Sequence, residues 1–369
     1  MIYFDYAATT PVDERVLERF VDICRRYPGN SNSSHALGIA SKNLVSDAQN
    51  RIAAHFQLDS PDIIYTSGAT EANNLGIIGY VTGTHYPGKH LITTGYEHSS
   101  VTACFAKLAQ AGYQVDVVES DRYGRVDMNA LAHLIRPDTL LVSIGIVNGE
   151  IGIIQDLPKI QEVLSRHPNT LFHSDVTQAV GKLRLDLSNV DLATFSGHKI
   201  YGLKGIGALI KKKNIVLNPL FVGGKSLSSS RPGTPPVPLI HSLADALDNV
   251  YDEYDKKQLK IRKLRQLLMQ RLKEIPESLW NSNKYCVPEI NNISFMGLNA
   301  KVLQETLSQQ EIYVSTQTAC GSDLDFSAQV FRLTNDEKRA YSSIRISLSS
   351  LNTPEEINRL AQAIQEAIR

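Results

Sequence analysis

The 369-residue chain has no surplus of either charge: lysine plus arginine and aspartate plus glutamate both number 38. Without a basic excess there is little to neutralise a phosphate backbone or an anionic bilayer, so neither direct nucleic-acid binding nor membrane attachment is expected. Long hydrophobic runs are also missing. The longest, such as LLVSIGIV (140–147), fall far short of the roughly 20 residues of a spanning helix. The opening MIYFDYAATT has an acid at position 5 and no basic cluster, so no secretory leader is read there. Cysteine is scarce, and Cys24, Cys104, Cys286 and Cys320 form neither a CxxC pair nor a metal-ligand spacing. No metal is expected, and a reducing, cytoplasmic setting is. Two nucleotide signatures, GxxxxGK[ST] and GxGxxG, are absent.

What is present is an alternation. With 42% hydrophobic and 21% charged residues, the composition suits a globular chain with one large and one smaller domain. The β-branched runs at 62–67, 90–94, 114–118, 140–147, 170–175, 192–196 and 207–210 read as strands. Segments with helical spacing, such as EANNLGIIGYV and SVTACFAKLAQ, separate them. The pattern predicts an α/β fold with a mostly parallel sheet covered by helices on both faces. A Pro/Ser-rich stretch (226–238) interrupts it, followed by an amphipathic run (239–275) read as one helix bridging two lobes. The last eighty or so residues read as an α+β unit with strands in NNISFMGL, IYVST and SIRISLS. Thr353-Pro354-Glu355-Glu356 has the form of a capping box with proline at the first helical position.

Parallel sheets of this kind bind ligands at the carboxyl ends of their strands. SGATEANN (67–74) is a small-residue turn opening a helix, suited to an anion or to ordinary capping by Ser67 or Thr70. His98 follows the next strand, as a ligand group or a helix cap. Asn148 ends another, where its amide either binds a ligand or caps a turn. Asp175 closes TLFHSD, as a paired acid or a solvated helix-start acid. Ser196, His198 and Lys199 follow LATFS, with Lys199 a chemical amine or a solvated turn lysine. An anion cradle, a histidine, an amide, an acid and a lysine at consecutive strand ends match the needs of pyridoxal 5'-phosphate. Its aldehyde joins a lysine, its ring nitrogen needs an acid, and its phosphate needs a helix start.

The motifs YFDYAATTPVD, GNSNSSHALG, TSGATEANN, EHSSV, VNGEIG, HSDVTQAVGK, FSGHKIYGLKGIG, RPGT and SIRISL occur in this order along nearly the whole chain. In this the chain resembles the cysteine desulfurases of the NifS/IscS kind, within the class-V aminotransferase-like group of fold-type I pyridoxal phosphate enzymes. The resemblance implies a seven-stranded sheet in a large domain (15–250) and a small α+β domain (1–14 and 251–369). It implies that Lys199 holds the cofactor and moves the α-proton, His98 stacks on the ring and assists, Asp175 pairs with the ring nitrogen, and Gln178 bonds the phenolic oxygen. Ala69, Thr70, Ser196 and His198 would hold the phosphate, with Thr234 from the second subunit of a homodimer. Asn148 and Arg345 would bind the substrate carboxylate; the arginine fork suits that task.

Cys320, within STQTACGSDLDFS (315–327), falls where the family has its sulfur-accepting nucleophile. The other three cysteines read as buried filler. The implied reaction converts L-cysteine to L-alanine and leaves a persulfide on Cys320 for an acceptor protein, serving iron–sulfur cluster assembly, tRNA thiolation or another pathway. Alternatives are a selenocysteine lyase, another class-V aminotransferase-like enzyme, or a degenerate sulfur-transfer scaffold. The chain departs from the family at GGKSLSSSRPGT (223–234), which lacks a Glu-Arg pair and has Pro232 for serine, and at Ser31, Gly149 and Leu203.

Overall fold

A computed structural model describes residues 1–224, 226–316 and 325–368. Its strands are β1 (Ile2–Tyr3), β2 (Asp62–Thr66), β3 (His90–Thr94), β4 (Gln114–Val118), β5 (Thr139–Ser143), β6 (Leu171–Asp175), β7 (Leu192–Ser196), β8 (Gly207–Lys211), β9 (Ser278–Trp280), β10 (Ile290–Phe295), β11 (Ile312–Tyr313) and β12 (Ser343–Ser347). The seven runs read from the sequence form one sheet in the order β2-β8-β7-β6-β5-β3-β4. Neighbours from β7 through β4 pair parallel, and β8 runs antiparallel to both β2 and β7.

Strand alternation divides the apolar residues between two faces. Ile63, Ile92, Val142 and Phe195 belong to a core built with the helices Ala36–His55 and Val237–Tyr251. Ile64, Leu91, Leu141 and Leu209 belong to one built with Ala69–Gly83 and Ser99–Gln110. Cover on both faces removes water from both sets of alternating side chains, which is why β3, β5, β7 and β8 are buried throughout. A separate cluster, including Phe4, Leu264, Phe295, Ile344 and Leu360, lies under the three-stranded antiparallel sheet β12-β10-β9 and the pair β1-β11.

The amphipathic run is two helices, Val237–Tyr251 and Tyr254–Lys273, instead of one. Asp252 is extended (ψ 132°) and Glu253 left-handed (φ 50°), which ends the hydrogen-bond ladder between them. Neither residue is a glycine or proline, so nothing in the hydrophobic period announces the break. The strand read at IYVST is confined to its first two residues, β11, and its partner β1 is likewise too short for any periodicity to announce it. The last helix begins at Pro354, and its capping box is closed: Thr353 N–H donates to Glu356 Oε2 (3.1 Å) and Glu356 N–H to Thr353 Oγ1 (3.3 Å).

One close approach sets the geometry at the sheet's carboxyl edge. A Cβ on Gly207 would sit 2.7 Å from Gly68 Cα and 2.7 Å from Phe195 O. Both are backbone atoms that cannot swing aside. Gly207→Ala is therefore expected to destabilise the chain by about 1–3 kcal/mol and to displace the start of the helix Ala69–Gly83; a urea melt measures the first.

Candidate active site

A cavity of about 510 Å³ opens at that carboxyl edge. Ala69, Thr70, His98, Asn148, Asp175, Gln178, Ser196, His198, Lys199 and Arg345 all line it. The carboxyl ends of β6 and β7 and the segments after β2, β3, β5, β6 and β7 supply all but Arg345, which comes from β12. Thr234 is exposed and outside this lining. Cys320 lies outside the described residues.

The helix Ala69–Gly83 has Gly68 as its N-cap and no side-chain cap bond. The expectation of an ordinary cap from Ser67 or Thr70 is thus not met, and the helix dipole ends open toward the cavity. Glu71 reaches back instead, accepting from Ser67 N–H (2.7 Å) and from Arg231 Nε (3.0 Å), which ties the RPGT segment to this turn. His98 caps its helix through Nδ1, which accepts from Ser100 N–H (3.1 Å). In the neutral ring the proton therefore sits on Nε2. Burial, joined by the Lys199 charge and opposed by Asp175, lowers the His98 pKa and favours that neutral form.

Asp175 is not a solvated acid. Its Oδ2 accepts from Asn73 Nδ2 (2.8 Å) and its Oδ1 from Thr177 N–H (2.9 Å). Asn73 is fully buried and is itself fixed by Ser100 (2.9 Å) and Thr194 (2.5 Å). Gln178 donates from Nε2 to Ala7 O (2.8 Å), while its buried Oε1 has no protein partner. Asn148 serves as a turn cap: Oδ1 accepts from Glu150 N–H (3.0 Å) and Ile151 N–H (2.7 Å), and Nδ2 donates to Tyr96 O (3.0 Å) and Gln329 Oε1 (3.3 Å). Arg345 is 1% exposed; Nη2 pairs with Asp5 (2.7 Å), Nη1 donates to Gly149 O (2.8 Å), and Nε is unpartnered.

Lys199 ends a 3₁₀ turn, Gly197–Lys199, folded back by the Gly202 N–H to Gly197 O bond (3.0 Å). Its Nζ donates to Ala7 O (2.5 Å) and Ala8 O (2.7 Å), on an N-terminal segment pinned to the turn by Thr10 N–H to His198 O (2.9 Å). Burial, with the Arg345 and Lys182 charges, lowers its pKa to about 7. A solvated turn lysine would show none of this; Lys204, five residues on, is exposed, whereas Lys211 is buried against Asp62 (2.9 Å). Burial and the charges of Lys199 and Lys204 also hold His198 down at about 4.

"Aminotransferase class-V" is the family whose pattern matches residues 2–360. The chain belongs to the class-V aminotransferase family. It is 38% identical over 376 residues to a cysteine desulfurase IscS of Salmonella paratyphi C (strain RKS4594), covering all of this chain and 92% of the relative. Among solved structures, a NifS-like protein superposes with a TM-score of 0.93 at 32% identity, over 100% of this chain and 99% of the other. SspA in complex with cysteine superposes with a TM-score of 0.83 at 28% identity, over 96% and 100%. The α/β fold with a mostly parallel sheet is the fold of these family members.

Sequence reading missed other groups that line the cavity, notably Glu97 and Gln329. Glu97 is buried; its carboxyl accepts from Thr94 Oγ1 (2.7 Å) and from Gly145 N–H (3.0 and 3.1 Å). An acid just beyond an apolar strand was a readable signal, masked by the adjacent His98. Gln329 carried none, being brought in by a distant helix. Among the described residues no cluster of His, Cys, Asp and Glu could hold a metal, and no helix is long and apolar enough to cross a membrane. The cysteines read as buried filler divide: Cys104 and Cys286 are buried, with burial raising their pKa to about 12 and about 11, but Cys24 is exposed on Glu14–Arg26.

Burial raises the Glu97 pKa from the ordinary 4.5 to about 7. The folded chain keeps this proton where the unfolded chain has lost it. The stabilisation is fully present below pH 4.5 and is lost as pH rises through 7. At about 1.4 kcal/mol per pH unit the loss is about 3 kcal/mol. The stability of wild type relative to Glu97→Gln should fall by that amount between pH 4.5 and 8 in urea titrations; a constant difference contradicts it.

Proposed function

We propose that this chain is a pyridoxal 5'-phosphate-dependent cysteine desulfurase, converting L-cysteine to L-alanine and passing the sulfur to Cys320. The observation that carries the reading is the Lys199 amine, held near neutrality on two carbonyls in a cavity that also has an open helix start and a fixed acid. The residues fit the cofactor. The uncapped amides at Ala69 and Thr70, with Ser196 and His198 beside them in the lining, suit a phosphate. Asp175 suits a protonated ring nitrogen, and the orphaned Gln178 Oε1 suits a phenolic hydroxyl.

When bound, the cofactor supplies an aldehyde for Lys199 and an electron-withdrawing ring for the pair released at the substrate α-carbon. Lys199 Nζ, neutral above about pH 7, accepts the α-proton and later returns it. His98, capped through Nδ1, would offer its ring face for stacking on the cofactor and keeps Nε2 for proton exchange. Arg345, already oriented by Asp5 and Gly149, anchors the substrate carboxylate. Asn148 joins it when its Nδ2 releases Gln329. The Cys320 thiolate attacks the substrate sulfur, the C–S pair stays with the substrate carbon, and protonation there yields alanine. The sulfur then leaves to an acceptor protein of a cluster-assembly or thiolation pathway.

A homodimer in the cytoplasm, with Thr234 of the second copy completing the phosphate site, is part of the reading. So is the division into a large domain (15–250) and a small one (1–14 and 251–369). The separate apolar cluster that joins Phe4 to Ile261 and the residues beyond supports that division.

The test is visible absorption of the purified protein, borohydride trapping with peptide mapping, and alanine formation from L-cysteine. A coloured protein labelled at Lys199 and releasing alanine is expected. A colourless protein, or label elsewhere, overturns the reading.

A further inference from the structure

A second cavity, of about 50 Å³, lies behind Lys199. At 10–15 Å³ for each site it has room for roughly three to five waters. It shares Ala7 and Lys199 with the main cavity but is otherwise lined by different groups, including Lys182, Glu289 and Gln258. Glu289 is 5% exposed; its Oε1 accepts from Gln258 Nε2 (2.6 Å) and its Oε2 has no protein partner. Lys182 Nζ makes no hydrogen bond or ion pair with any described residue. A cation and a half-satisfied acid facing one small cavity without touching are costly unless water bridges them.

We propose that Lys182 is a positioning residue for Lys199: held through bridging water by Glu289 across this rear cavity, it sets the charge felt by the Lys199 amine. The proposal rests on the reading of Lys199 as the reactive amine. Burial lowers Lys182 to about 8 and raises Glu289, and each partly offsets the shift of the other. The Lys182 charge contributes to the lowering of Lys199, after burial and Arg345. The other groups facing this amine are Asp5 and Asp175, and Arg262 also acts on Glu289. Tyr6, Tyr201, Tyr254 and Lys257 complete the polar wall.

The test is competitive acetylation of the full-length chain, freed of carbonyl cofactor with hydroxylamine, by trace acetic anhydride across pH 5–10. Peptide mass mapping then gives the labelling midpoint of Lys199. Removing the cation in Lys182→Met should raise that midpoint by roughly half a pH unit or more, about a threefold loss of labelling below it. In Glu289→Gln the labelling midpoint of Lys182 itself, read from the same maps, should fall, because the anion that partly offsets its lowering is gone, and Lys182→Arg should keep the Lys199 midpoint at or below the wild-type value. A raised Lys199 midpoint in Lys182→Met supports the proposal; one unmoved or lowered overturns it. If Lys182→Met fails to fold, Lys182→Gln takes its place with the same expected rise, and no rise overturns the proposal. Borohydride trapping of the wild type tests the cofactor reading separately, so the two failures are distinguishable.

Discussion

Lys199→Ala should form alanine from L-cysteine at least about a thousandfold more slowly than wild type, the size of effect removal of a nucleophile and proton carrier produces. The argument is local. The Lys199 amine is the one cavity-lining amine described here with a pKa brought down to about 7 by burial and neighbouring cations. It rests on carbonyls, which accept its hydrogens without taking its lone pair. The substitution leaves the Ala7 and Ala8 carbonyls without that donor, a loss of about 1–3 kcal/mol, too little to unfold cores of this size. The variant should therefore melt cooperatively while losing visible absorption trapped by borohydride. Lys199→Arg should fail equally, because guanidinium stays charged at every accessible pH. Wild-type turnover by either variant would remove Lys199 from the chemistry.

Cys320→Ala is expected to reduce sulfide and alanine release from L-cysteine to background, measured with a thiol reductant present. No cysteine among the described residues lines the cavity. Cys104 donates to Ser100 O (3.0 Å) inside a core, Cys286 is buried elsewhere, and Cys24 lies on an outer helix. None of these can receive sulfur from a substrate bound in that cavity. Oriented placement of a thiolate contributes several kcal/mol to such a step, within the roughly 7–11 available from positioning. The variant should still bind L-cysteine and change the visible spectrum, since Lys199, His98 and Asp175 are intact. Undiminished release of sulfide and alanine by Cys320→Ala would point to the selenocysteine-lyase alternative, in which the cysteine is dispensable.

Much of this was readable along the chain. The seven strands of the sheet followed from β-branched runs of the right length, and the candidate residues followed from their position just past those runs. The paired state of Asp175 was one of two readings; Asn73, a hundred residues earlier, decides it. Asn148 also had two readings, and its bonds to Glu150 and Ile151 make it a turn cap in this structure. Glu97 and Gln329 went unread, one beside a more conspicuous histidine and the other far away in sequence. The break at Asp252–Glu253 went unread because a left-handed glutamate has no compositional signature.

Local order was thus written in periodicity and spacing, because strand alternation, helix caps and turn residues act within a few positions. The ordinal arrangement of open helix start, histidine, acid and lysine belongs to the same level, since each sits at a strand's carboxyl end. What the folded chain alone decides is environment. Lys199 is brought near neutrality by burial, by Arg345 and by Lys182; Arg345 is oriented by Asp5, 340 positions away. Desolvation and Coulomb interaction depend on distances through space, and those exist only after the sheets have assembled.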